Sequence, residues 1–271
     1  MIRTERCLCT NNTFIPIMKF KNGRQLFQCK KCNLVQILPY PKPIKRNMTI
    51  INYSIPEIYG CFMIFFNIIK KLNLKREIKI LDFGSGISLY SKFFNNKQYY
   101  NTISYDINKN LINFSKKEFN IKNAYYTFQK IKRIRFDLII ANHVFEHIIN
   151  INQLINADLF DILNTNGHII FAVPNYSSFN RIILKRNWIG YSPYEHIWLF
   201  TKNDINNHYK RNEKYELIEC YSKSPINTKY DGYCGKTLLK KIYYNTIMRI
   251  FEYVGKGDQL IVILKKKSNI R

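Results

Sequence analysis

Carboxylates are scarce in this chain of 271 residues: 18 aspartates and glutamates stand against 43 lysines and arginines, for a formal net charge of +25. Such a surplus attracts nucleic acid, an anionic membrane surface or an acidic substrate. Compositional bias gives the same result, because lysine, asparagine, isoleucine, tyrosine and phenylalanine crowd the whole length. The basic clusters Lys130–Arg135 and Lys265–Lys267 alternate with apolar residues or sit at a chain end. They argue only weakly for a nucleic-acid groove, so such a partner is not favoured. Also missing is any run of about 20 uncharged apolar residues, the length a transmembrane helix needs. The greasiest run, Ile58 to Ile69, ends in Lys70 and Lys71 and reads as a buried or surface-lying helix. No apolar segment follows Arg3, Glu5 and Arg6, so no secretory signal is visible and a cytoplasmic location is expected. Seven cysteines in that setting argue against a disulfide framework. There is no internal repeat.

The length fits one α/β domain of about 200 residues with a small appendage. We divide the chain into a cysteine-bearing module (1–40), a linker and helix (41–75) and a catalytic domain (76–271). The linker is the stiff Pro39-Tyr40-Pro41-Lys42-Pro43 stretch, with Pro56 placed to open a helix through Leu72. From residue 78 onward apolar strands alternate with helical segments. Strands are expected over 78–83, 102–106, 124–128, 136–141, 168–173, 215–221 and 259–264. Helices are expected to 94 and over 108–119, 152–163, 202–210 and 238–253. That alternation, with continuous apolar strands, predicts a doubly wound α/β fold with a mostly parallel sheet covered on both faces.

The first of these strands runs into Asp82-Phe83-Gly84-Ser85-Gly86, directly before a helix. Glycines at a strand's carboxyl end let a ligand approach the backbone, and an acid about 20 residues on, here Asp106, can accept from ribose hydroxyls. These elements describe a nucleoside-binding crevice. A dinucleotide turn needs a third glycine where this chain has Leu89. Asp82 is expected to point a carboxylate into the crevice, which repels a pyrophosphate and suits a cationic sulfonium.

Five ordered segments between residues 76 and 267 resemble class I S-adenosylmethionine-dependent methyltransferases of the ubiquinone-biosynthesis type. They are Asp82–Gly86, Asp106, Phe136–Ile148, Leu163–Asn175 and Glu195–Thr201. The resemblance implies a seven-stranded Rossmann-like sheet and S-adenosylmethionine as cofactor. It implies cofactor contacts from Asp82, Gly84, Ser85, Gly86, Asp106, Ile107, Gln129, Asn142 and His143. Ser88 replaces the third glycine of the motif, and Gln129 stands where many relatives carry an acid.

Cys7, Cys9, Cys29 and Cys32 form two pairs that a hairpin could bring to tetrahedral geometry around zinc. Cys29–Gln36 also resembles the zinc-ribbon leader of some methyltransferases that act on sugars. The single residue between Cys7 and Cys9 is shorter than usual, and unliganded cysteines stay open as the alternative. Cys61, Cys220 and Cys234 read as ordinary core or loop residues.

Methyl transfer to a hydroxyl needs a base on a loop beyond the strand ends. The candidates are His143, His147, Glu195 and His196, while His168 and His208 read as structural. No Asn-Pro-Pro-Tyr tetrad and no cysteine follow the fourth strand, which lowers nucleic-acid base methylation. The sequence therefore predicts O-methylation of a small molecule or sugar. An RNA methyltransferase and a non-catalytic binding module are the rivals. A third reading lays helix 238–253 on an anionic membrane. Related sugar C-methyltransferases are longer, which weakly favours an O-methyl product.

Overall fold

The computed structural model describes residues 7–41, 55–97, 101–224 and 246–268. Its centre is a seven-stranded sheet built from β4 (Ile80–Phe83), β5 (Thr102–Tyr105), β6 (Ala124–Tyr125), β7 (Phe136–Asn142), β8 (Leu163–Pro174), β10 (Tyr215–Lys223) and β11 (Gln259–Lys266). The spatial order is β10-β11-β8-β7-β4-β5-β6. Neighbours from β8 to β6 pair in parallel, and β11 alone runs antiparallel to both of its neighbours. This is the Rossmann-like architecture expected from the sequence. The chain runs from β4 out to β5 and β6 and then crosses back to β7 on the other side of β4, so a topological switch point lies at the carboxyl ends of these strands.

Alternate residues of the central strands feed two cores. Leu81, Ile139, Ala141, Phe171 and Val262 face one side, and Ile80, Leu138, Ile140, Ala172 and Ile261 face the other. Side-chain alternation along a strand buried on both faces gives this division. The second core is closed by α1 (Ile55–Lys71) and α2 (Leu89–Asn96), through Phe62, Phe65, Phe93 and Phe94. Over the first core lies a helical stretch of three pieces: α4 (Ile151–Gln153), a π turn (Leu154–Leu159) and α5 (Phe160–Ile162). The helix after β5 is α3 (Lys109–Phe119), capped by Asn108. The Asn166-Gly167 turn is present as an irregularity inside β8, where pairing with β7 jumps from Phe136↔Leu163 to Leu138↔His168. After β8 come α6 (Phe179–Leu184), α7 (Lys202–Tyr209) and α8 (Met248–Tyr253). The expected helix 238–253 is seen only in its last part, since residues 238–245 lie outside the described residues, as does Cys234.

The N-terminal residues form β1 (Phe14–Lys19), β2 (Gln25–Cys29) and β3 (Val35–Leu38). Their antiparallel sheet is completed by β9 (Trp198–Leu199), a strand that follows β8 by more than twenty residues. Arg24 fastens the two parts together. Its buried guanidinium donates to the carbonyls of Ile37 and His196 at 3.0 Å and to those of Pro39 and Pro193 at 2.8 Å. Burial pushes this guanidinium down to about 10, so it stays charged at neutral pH.

Candidate active site

A cleft of about 580 Å³ opens at the switch point, lined by the carboxyl ends of β4 and β5, by the loop after β7 and by the π turn. Its walls include Gly84, Tyr105, Asp106, Ile107, Phe128, His143, Val144, His147 and Asp158. No lysine or arginine lines it among the described residues.

The turn after β4 has the backbone shape its glycines allow. Gly84 and Gly86 lie at φ +70° and +54°, in the left-handed region where a side chain is strained. The Gly84 and Ser85 N–H groups donate to the Tyr105 carbonyl at 2.8 and 2.9 Å, which ties the turn to the end of β5. Asp106 is held in place by two backbone donors, Gly86 and Asn108, each at 2.8 Å. Burial raises its carboxyl, and those two N–H groups oppose the shift. A carboxylate has about four acceptor sites, so two remain for a pair of hydroxyls.

The cofactor residues expected from the sequence divide at this point. Gly84, Asp106, Ile107 and His143 line the cleft. Ser85 and Gly86 belong to the turn behind Gly84 and are not part of the lining. Asp82 does not line the cleft, contrary to expectation. Its carboxylate lies in the interior, accepting from the Ser91 N–H at 3.3 Å and the Ser91 hydroxyl at 3.2 Å. Burial pushes it up to about 7, against those hydrogen bonds. Gln129 is exposed on a short 3₁₀ turn and also misses the cleft, where Phe128 lines the wall instead. Asn142 ends β7 half-buried and is not part of the lining.

The histidines gather around Glu146, whose side chain is 0% exposed. His143, at φ +54°, places Nδ1 3.0 Å from Glu146 Oε1 and Nε2 3.1 Å from Gln259 Oε1. Burial lowers the His143 pKa, but the Glu146 carboxylate outweighs it and the net shift is upward. Glu146 is depressed in turn: burial raises it, and the His143 bond with the charges of His143, His147 and His196 overcomes that. Glu146 Oε2 is buried with no hydrogen-bond partner in the structure. His147 Nδ1 lies 3.3 Å from the Glu195 carbonyl, and its ring meets that of His196 edge-on at 4.7 Å.

His196 and Glu195 lie away from the cleft wall. His196 is 8% exposed and absent from the cleft wall, and its Nδ1 donates to the Gly190 carbonyl at 2.8 Å. Burial pushes it down to about 4, so it is neutral at pH 7. Glu195 meets His147 through its backbone carbonyl. Asp158 and Arg24 are residues the sequence reading missed. A lone aspartate in a helical stretch and one arginine in a basic chain give no signal.

The four N-terminal cysteines come together where the segment before β1, carrying Cys7 and Cys9, meets the β2–β3 turn with Cys29 and Cys32, and all sulfurs lie within 4.8 Å of one another. Cys7 and Cys32 Sγ are 3.3 Å apart, and Cys9 and Cys29 Sγ 3.6 Å. None is in a disulfide. The hydrogen bond from Cys7 holds the Cys32 thiol down at about 5, against burial.

A family model described as a methyltransferase domain matches residues 64–213, more than half of the chain. The chain belongs to that family, and its sheet is that of a class I methyltransferase. Among solved structures, the plantazolicin methyltransferase BpumL, in complex with a triazolic desmethylPZN analog and SAH, is similar at TM-score 0.54 and 14% identity, over 80% of this chain and 86% of that one. A SAM-dependent methyltransferase from Anabaena variabilis is similar at TM-score 0.54 and 14% identity, over 78% and 86% of the two chains. At such identities the likeness is one of fold. No curated protein matches the chain.

Proposed function

We propose that the chain transfers the methyl group of S-adenosylmethionine to a hydroxyl of a small molecule or of a sugar or glycan acceptor. The observation that carries this reading is the cleft itself. It sits at the switch point, with Asp106 on one wall and His143 and His147 over a buried carboxylate on the other. The residues fit the cofactor. The glycine turn lets a ligand lie against backbone, Asp106 would hold the ribose, and Tyr105, Ile107 and Phe128 supply apolar surface. When bound, S-adenosylmethionine supplies a methyl carbon made electrophilic by its sulfonium. Asp106 and Asp158, with no lysine or arginine on the wall among the described residues, favour a cationic donor and disfavour a phosphate-rich acceptor such as RNA at this opening.

His147 takes the acceptor's proton as the hydroxyl oxygen attacks in line. Donation from Nδ1–H to the Glu195 carbonyl selects the tautomer with its basic lone pair on Nε2. Glu146, beneath it, compensates the positive charge that forms. His143 and His196 are positioning residues: one anchors Glu146, and the other packs against the His147 ring. Methyl-transfer assays on hydroxylated small molecules, glycans and RNA test the acceptor class. In His147→Ala, kcat falls about 100-fold while S-adenosylhomocysteine affinity is retained. An unchanged kcat removes His147 from the role.

Cys7, Cys9, Cys29 and Cys32 are assigned a structural zinc. Four sulfurs at about 2.3 Å from zinc stand about 3.8 Å apart at tetrahedral angles, close to the separations of 3.3 and 3.6 Å seen here.

A further inference from the structure

We infer that α6 and α8 together form a docking surface for an anionic lipid bilayer, at the edge of the sheet where the catalytic cleft opens. Three consecutive aliphatic side chains of α6 stand in solvent, with Ile182 50%, Ile183 52% and Leu184 44% exposed, and Ile189 follows at 59%. On α8, Ile250 is 62% exposed, Val254 just beyond its end 58% and Tyr253 94%. The two helices touch through parallel Phe179 and Phe251 rings, whose centroids are 3.4 Å apart. The Phe179 N–H also donates to the Lys256 carbonyl at 2.9 Å. Ile182 and Ile183 lie one helical turn beyond Phe179, and Ile247 and Val254 one turn to either side of Phe251. The two apolar rows therefore adjoin and make one patch. Contiguous exposed apolar surface of this kind marks an interaction site, which scattered single residues do not.

The rim identifies the occupant. Lys185 and Arg186 follow the aliphatic run directly and are exposed, and Arg181, Arg249 and Lys256 stand nearby. The carboxylates among them are engaged: Glu252 pairs with Lys223 and Arg249, and Asp258 accepts from the Asn180 amide. Aliphatic residues that can enter the headgroup boundary, ringed by cations, match a negatively charged bilayer surface. An RNA partner would leave the apolar centre unmatched. No helix among the described residues is long and apolar enough to cross a membrane.

The surface lies beside the site. Phe179 is five residues past the end of β8, and Val254 is five residues before Gln259, whose amide meets His143. Docking would turn the cleft toward the bilayer and favour a hydroxyl acceptor carried on a lipid, a consequence that rests on the acceptor reading above.

The test is co-sedimentation of the full chain with phosphatidylcholine vesicles, with and without about 30% phosphatidylglycerol. Two paired variants, Ile182→Ser with Ile183→Ser and Ile250→Ser with Val254→Ser, probe the two helices separately. These residues are half exposed or more, so serine leaves the core intact. S-adenosylhomocysteine titration reports folding and the cofactor site independently. The expected result is binding to the anionic vesicles only, weakened about tenfold in each pair, with cofactor affinity unchanged. Variants that sediment like the parent would show adsorption by net charge alone and overturn the assignment. So would a parent protein that stays in the supernatant.

Discussion

A Cβ built on Gly84 would stand 2.4 Å from Val144 Cγ2, so the turn after β4 and the loop after β7 meet without room for one methyl group. Both residues line the cleft, and this contact sets how closely its two walls approach.

The Gly84→Ala variant therefore combines a steric clash with a strained φ of +70°. It should lose on the order of 1–3 kcal/mol of stability and bind S-adenosylhomocysteine more weakly. Adding Val144→Ala relieves the clash and leaves the φ strain, so the double variant should recover only part of the loss. Full recovery in thermal unfolding would mean that backbone strain is negligible at this turn.

Glu146 anchors His143 and faces two further histidines from a fully buried position. Replacing it by glutamine keeps the volume and removes the charge. We expect a loss of about 2–4 kcal/mol and a much reduced kcat. If Glu146→Gln melts like the parent and turns over at the same rate, the carboxylate has no part in holding or charging the cluster.

Asp82 makes stability depend on pH in a direction that can be checked. Its folded pKa, about 7, lies above the ordinary 3.8. The folded state thus holds a proton that the unfolded chain has released, and this group costs stability progressively as pH rises from about 4 to 7. Asp82→Asn carries no such charge. It should gain on Asp82 by about 4 kcal/mol at pH 8 relative to pH 4, read from melting curves across that range. A pH-independent difference would show that the carboxylate is not perturbed.

The cysteine cluster should carry about one zinc per chain. Chelation, or Cys32→Ser, should release it and lower the melting temperature by about 5 °C or more. The N-terminal four-stranded sheet includes β9, and Arg24 bonds the His196 carbonyl, so loss of zinc should also reduce kcat. Purified protein without zinc, and with melting unaffected by chelator, would remove this assignment.

The order of strands and helices was legible because periodicity and apolar runs are local signals, and the glycine turn and Asp106 because their spacing follows from one βα unit. Burial is decided by the tertiary structure and was not legible. Asp82 and His196 sit at positions that suggest the site, and their side chains are enclosed, one under Ser91 and the other beside Gly190. Strand β9 is two residues long, too short for any periodicity, yet it completes the sheet that holds the cysteines. Asp158 reaches the cleft through a π turn, which widens a helix locally and has no sequence signature.

The most direct test of the central claim is calorimetric titration of the full chain with S-adenosylhomocysteine, beside Asp106→Ala. The account predicts micromolar binding that weakens at least about tenfold in the variant, because the ribose loses its carboxylate. Absence of binding by the folded, zinc-loaded protein, or equal affinity in Asp106→Ala, would contradict it.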